Sequence, residues 1–240
     1  MSKIKIVLHT QNAEEYIKLF KHIYKDIEVK YYDKEKLPAI DKWQPDIVLL
    51  NNDEGVISPE YRSIENNKFL DSLPSNIEND ITDSELINKY RSNDILLIGV
   101  GRGAHLLCIA SNGNLISKVN NYKDVKTKII GLTDINSKSL FNSDAYSFDG
   151  VSKVDQLMHP FDSSYCYYNI LAYSDKYMSN VYLNKLGKDM DMPKNYVEPQ
   201  VIYFPDLNAL AFQSHFEDQN NNSFQTYFEH IILQYITNKK

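Results

Sequence analysis

Cysteine and tryptophan are scarce in this 240-residue chain, at two and one, and glycine and proline number only eight each. Two cysteines, Cys108 and Cys166, are too few for a disulfide framework, so apolar burial must hold the fold and a reducing compartment is expected. No apolar run approaches the roughly 20 residues a membrane-spanning helix needs, and Met1 to His9 read as a short strand rather than a secretion signal. Cationic residues do not outnumber anionic ones: 26 Lys and Arg face 32 Asp and Glu, a formal net charge of -6. That balance supplies no basic face for nucleic acid. A cytoplasmic protein that engages neither membrane nor nucleic acid is the expectation.

Where glycine does occur, it is concentrated. Three of the eight fall within Gly99-Val100-Gly101-Arg102-Gly103. Ile95 to Ile98 before them have the unbroken aliphatic character of a central parallel strand, and Ala104, Leu107, Cys108 and Ala110 after them suit a tightly packed helix ended by Asn112-Gly113. Glycines flanking such a strand-to-helix turn permit the strained elbow that lifts a central nucleophile above the sheet. Here the central residue is Gly101, which has no side chain to lift.

The rest of the chain repeats the α/β theme. Ile4 to Leu8 reads as a first strand, Ala13, Tyr16, Ile17, Phe20 and Ile23 lie at helical spacing, and Ile27 to Tyr31 and Pro45 to Leu50 read as two further strands. The third ends in Asn51-Asn52, beyond a carboxyl strand end where ligands gather in such sheets. Thr82-Asp-Ser-Glu85 has the form of a capping box opening a helix from Leu86 to Tyr90. Strands are expected over Asn114 to Val119, Lys128 to Leu132, Ile170 to Tyr173, Asn180 to Leu183, Val201 to Phe204 and Ala209 to Gln213, with a turn at Phe148-Asp-Gly150. Phe224, Tyr227, Phe228, Ile231, Ile232 and Tyr235 form the apolar stripe of a closing helix. There is no internal repeat.

Two segments carry a resemblance. Gly99, Arg102 and Gly103 match the G-I-C-R-G elbow of class I glutamine amidotransferases, and Leu210-Ala-Phe-Gln-Ser-His-Phe-Glu217 resembles the family's V-Q-F-H-P-E segment, with His215 and Glu217 at the catalytic His and Glu. Two apart on a strand end, their side chains would leave on one face, as base and orienter. The resemblance implies a flavodoxin-like three-layer α/β sandwich with a central, mostly parallel sheet, as one domain over residues 1–240. It also implies that Asn51 and Asn52 stand at the oxyanion turn, commonly Gly-Gly, and that His105 stands where a glutamine-contacting Gln is common. Val151 to Asp162 looks like the substrate-side S-x-H-H-Q segment, in a version similar to some tailed-phage amidotransferases. Val154-Asp155 there replaces His-His, and Gln156 is kept.

Glycine cannot attack a carbonyl, so the vacant position at Gly101 removes covalent catalysis. Cys108, about 10 Å along the helix from the elbow, reads as a packed core thiol, and Cys166 reaches the site only if its loop folds over it. The favoured reading is a catalytically inactive amidotransferase homologue that binds a ligand or partner. Its pocket would comprise Asn51, Asn52, Arg102, His105, Asp155 and Gln156, and would take a small amide or amino acid. Its partner would be a synthetase-like enzyme or, given the phage-like segment, a host protein. The alternatives are an amidotransferase or γ-glutamyl amide hydrolase with a displaced nucleophile, and an oligomer-forming structural protein. No cofactor is implied, and His105, Asp155 and His159 have no zinc-like spacing.

Overall fold

The computed structural model describes residues 3–32, 42–51, 55, 57, 77–92, 94–116, 118–119, 123–132, 145–153, 156–176, 181–183, 188–192, 196–215 and 222–237. Its centre is a nine-stranded sheet. In chain order its strands are β1 (Ile4–Thr10), β2 (Ile27–Tyr31), β3 (Ile47–Asn51), β4 (Leu96–Val100), β7 (Lys126–Leu132), β8 (Ala145–Val151), β10 (Asn169–Ser174), β12 (Pro199–Phe204) and β13 (Ala209–Phe212). They lie in the order β2-β1-β3-β4-β13-β12-β10-β7-β8. The first five strands of that order are mutually parallel, and β12, β10, β7 and β8 extend the sheet antiparallel. The anticipated central parallel sheet is present, with an antiparallel wing built by the β-rich second half of the chain.

Alternation along the strands sorts the core into two faces. Ile6, Leu8, Ile47, Leu49, Ile98, Val100, Leu210 and Phe212 face one side, where they meet Tyr16 and Phe20 of helix α1 (Ala13–Ile23) and Phe224, Tyr227, Phe228, Ile231 and Ile232 of helix α4 (Asn222–Thr237). Val7, Val48, Leu50, Leu97, Ala209 and Ala211 face the other, against Leu86, Ile87 and Tyr90 of α2 (Ile77–Tyr90) and Ala104 and Leu107 of α3 (Arg102–Ala110). Helices on both faces make the three layers expected, and they explain why the parallel strands are continuously apolar rather than alternating with polar residues. Two short pairs lie outside the main sheet: β5 (Asn114–Ile116) with β9 (Leu157–His159), and β6 (Lys118–Val119) with β11 (Tyr182–Leu183).

Three local expectations are corrected. Helix α2 starts at Ile77, so Thr82 and Glu85 lie inside it rather than at a capping box; its Asp80 and Asp83 bury themselves against Arg102, a tertiary pairing that local capping logic does not see. Phe148-Asp-Gly150 is not a turn but part of β8, paired with Ile129, Lys128 and Thr127 of β7. Asn114 to Val119 is not one strand but two, β5 and β6, joined to different partners. Among the described residues, no helix is long and apolar enough to cross a membrane.

Candidate active site

The elbow forms as its glycines predict. β4 ends at Val100, the chain turns at Gly101 with φ +55° and ψ −115°, and α3 begins at Arg102. Gly101 donates its backbone N–H to the Phe212 carbonyl (2.8 Å), and its own carbonyl accepts from His105 N (3.2 Å), so the turn is pinned to β13 on one side and to the helix on the other. A side chain would be strained at this φ. At Gly103, an added Cβ would lie 2.8 Å from the Leu50 carbonyl carbon, closer than real Cβ atoms come, so glycine allows α3 to sit against the end of β3.

His215 reaches the same point from the neighbouring strand. β13 runs parallel to β4 with Phe212 opposite Val100, and the chain continues through Gln213 and Ser214 to His215, which is secured to Val151 by a reciprocal pair of backbone hydrogen bonds (2.7 and 3.1 Å). The imidazole is buried and lies directly over Gly101. A Cβ at Gly101 would sit 2.9 Å from its Cε1, 3.0 Å from its Cδ2 and nearer still to Nε2. The ring therefore occupies the volume that a nucleophilic side chain would need. Cysteine and histidine could not both be accommodated here without moving the histidine.

A buried polar clamp is centred on Gln213, which stands two residues before His215 at the glutamine of the V-Q-F-H-P-E-like segment. Its Oε1 accepts from Met158 N (3.0 Å) and faces His105 Nε2 (3.1 Å), while its Nε2 donates to the Gln156 carbonyl (2.7 Å). Gln156 in turn accepts, through Oε1, the N–H of Ile57 (3.2 Å). His105, Gln156 and Gln213 are all fully buried, so each bond avoids the penalty of about 1–3 kcal/mol for an unmet buried polar group. The clamp joins α3, β9 and the segment two residues before His215. The signal for Gln213 was its place within the His215 segment, but neither that place nor alternation could show that its amide turns into the core.

Arg102 turns away from the elbow. Its guanidinium is fully buried, with Nη1 donating to Asp83 Oδ2 (2.7 Å) and Nη2 to Asp80; His9 Nδ1 meets the other Asp83 oxygen at 2.6 Å. Asn51 closes β3 opposite Thr10 of β1. Asn52, Asp155 and Glu217 lie outside the described residues, so the structure brings together Gly101, His215, His105 and Gln156 from the expected set.

Both cysteines are remote from Gly101. Cys108 and Cys166 are free and buried, and they converge near Gly113, past the far end of α3, where an added Cβ would meet their sulfurs at 2.7 and 3.4 Å. Burial raises the Cys108 thiol far above its usual range, with Cys166 adding to the effect and a backbone hydrogen bond from His159 opposing it. Burial, followed by the Asp206 charge, pushes Cys166 up to about 11. Thiols held in this form are poor nucleophiles.

No protein-family model and no curated protein sequence matches this chain. Solved structures do share its fold, that of the class I glutamine amidotransferases. A putative GMP synthase subunit from Thermoplasma acidophilum superposes with a TM-score of 0.59 at 12% identity, over 100% of this chain and 97% of that one. A glutamine amidotransferase from Thermotoga maritima gives 0.52 at 12%, over 99% and 84%. A putative ThuA-like protein from Bacteroides uniformis gives 0.57 at 11%, over 97% and 91%. At these identities the likeness is one of fold, and the three names show that the fold carries more than one assignment.

Proposed function

We propose that this protein is an amidotransferase-like chain without amidotransferase chemistry, which uses the elbow pocket to bind a small amide or amino acid. One observation carries the reading: the His215 imidazole fills the space over Gly101 where the attacking sulfur would be attached. The arrangement goes beyond the loss of one side chain, because the base has taken the nucleophile's place and a hydrogen-bonded clamp of His105, Gln156 and Gln213 ties α3 to the segment that leads to His215. What remains at the carboxyl ends of β4 and β13 is a buried imidazole beside an elbow, a group that can donate or accept a hydrogen bond but forms no acyl-enzyme there.

Partner docking belongs to the same reading, since one structural neighbour is itself named as part of a GMP synthase. A synthetase-like enzyme or, for a phage-encoded chain, a host protein is the partner this predicts. The displaced-nucleophile alternative is not favoured, because Cys166 packs beside Cys108 past the far end of α3. The deciding measurement is ammonia release from glutamine and γ-glutamyl amides by the native protein, Gly101→Cys, His215→Ala and Cys166→Ser. None of the four is expected to release ammonia above background. Turnover by the native protein that is lost in His215→Ala would overturn the reading.

A further inference from the structure

The sheet order places a topological reversal away from the elbow. The chain passes from β1 to β2 on one side and then to β3 on the other, so the order of connections reverses between β1 and β3. Ligands of open α/β sheets sit at such reversals, beyond the carboxyl strand ends. Here those ends place Thr10 opposite Asn51 and His9 opposite Leu50, which in turn pairs with Gly99. Two inter-strand spacings of about 4.8 Å therefore separate His9 from the elbow strand.

His9 is built as an oriented imidazole. Like Val7, it points to the α2 and α3 side of the sheet, and its Nδ1 is 2.6 Å from Asp83 Oδ1. Arg102 holds the second oxygen of Asp83 and also engages Asp80, so the orienting carboxylate has a fully buried counter-ion. The Tyr32 ring packs edge-on at 4.9 Å and limits rotation of the imidazole. Side-chain exposure rises from 0% at Arg102 through 1% at Asp83 to 11% at His9, so the network opens outward at this ring. Carboxylate, Nδ1–H and a remaining Nε2 make the base and orienter of a catalytic triad. Among the described residues no hydroxyl or thiol is hydrogen-bonded to Nε2, so the imidazole itself would meet an electrophile.

We propose that His9, oriented by Asp83 and Arg102, is a nucleophilic imidazole at the β1/β3 reversal that accepts acyl groups from small activated esters, a site separate from the Gly101 elbow and going beyond the binding role assigned to it. The Nε2 lone pair forms a C–N bond to the acyl carbonyl, the ester C–O bond breaks and the alkoxide departs, while the Nδ1 proton stays shared with Asp83. Water then forms the new C–O bond, the C–N bond breaks, the imidazole and a carboxylic acid are released, and the proton lost by the water passes through solvent to the departed alkoxide.

p-Nitrophenyl acetate is the probe. Its hydrolysis by the full chain is expected to fall at least tenfold in His9→Gln, which keeps a donor toward Asp83, and to be unchanged in His22→Gln, on the exposed face of α1. Long-range ¹H–¹⁵N correlation on the native protein is expected to place the neutral-form proton of His9 on Nδ1, which leaves on Nε2 the lone pair that the attack needs. A rate unchanged by His9→Gln, or a proton fixed on Nε2, would each overturn the proposal. Should His9→Gln fail to fold by near-ultraviolet circular dichroism, mass spectrometry of the native protein quenched during turnover decides it: an acetyl group on His9 supports the proposal and its absence overturns it.

Discussion

Gly101 and His215 are complementary in the steric sense: the missing side chain is the room in which the imidazole lies. Under the proposed function, a cysteine placed at this position is therefore not expected to confer amidotransferase chemistry. Gly101→Cys introduces a Cβ at a φ of +55° and against a buried ring, and is expected to destabilise the fold by about 1–3 kcal/mol in urea titrations while leaving ammonia release at background. At Gln213 the effect is one of unmet polar groups. Gln213→Leu deprives Met158 N and the Gln156 carbonyl of their partner at once, and should cost about 2–4 kcal/mol, against a near-neutral change for an exposed glutamine such as Gln11.

Cys166 titrates in a direction that can be read directly. Its thiol is raised to about 11, chiefly by burial, whereas an unfolded cysteine titrates near 8.5. The folded state holds its proton more tightly, so this contribution to stability is fully present below about pH 8.5 and is lost as pH rises toward 11. Iodoacetamide alkylation of Cys166 should accordingly stay slow at pH 8 in the native protein, become fast in urea, and accelerate in the native protein only as pH approaches 11. Rapid alkylation at pH 8 under native conditions would contradict the burial of this thiol.

Among the elements, α2 depends most on a single tertiary interaction. Its own sequence is weakly amphipathic and carries Asp80 and Asp83 on the face turned inward, which local propensity would place outside. Arg102 reverses that choice by giving both carboxylates a buried partner. Removing one member leaves an uncompensated buried charge, so Arg102→Leu should destabilise by about 3–5 kcal/mol, whereas replacing all three by apolar residues of similar volume should recover much of the loss. Thermal unfolding of the single and triple variants checks this. β8 makes the related point for strands. Gly150 and Asp149 look like turn chemistry in isolation, yet pairing with β7 along the whole of Ala145–Val151 keeps them extended.

For the molecule as a whole, stability should be graded across the sheet. β1, β3, β4 and β13 are covered on both faces, by α1 and α4 on one side and α2 and α3 on the other, so their amides are expected to exchange slowest with deuterium, and those of β5, β6, β9 and β11, in two-stranded pairs, fastest among the strands. Slow exchange confined to the antiparallel wing would contradict this distribution of the core.

Much of this was legible in the chain. Short aliphatic runs at Ile6 to Leu8, Ile47 to Leu50 and Ile95 to Ile98, bounded by polar or turn residues, read as strands buried on both faces, and a cluster of glycines between a strand and an apolar helix reads as a tight turn, because both follow from local sterics and solvent exclusion. Only tertiary structure could decide that His215 lies on Gly101, that Gln213 joins His105 to Gln156 in the core, that Arg102 faces Asp80 and Asp83, and that the two cysteines meet away from the site. Those are pairings between residues from 19 to more than 100 positions apart, and their energies come from desolvation and close packing, which depend on what the rest of the fold brings alongside and leave no period or spacing in the sequence.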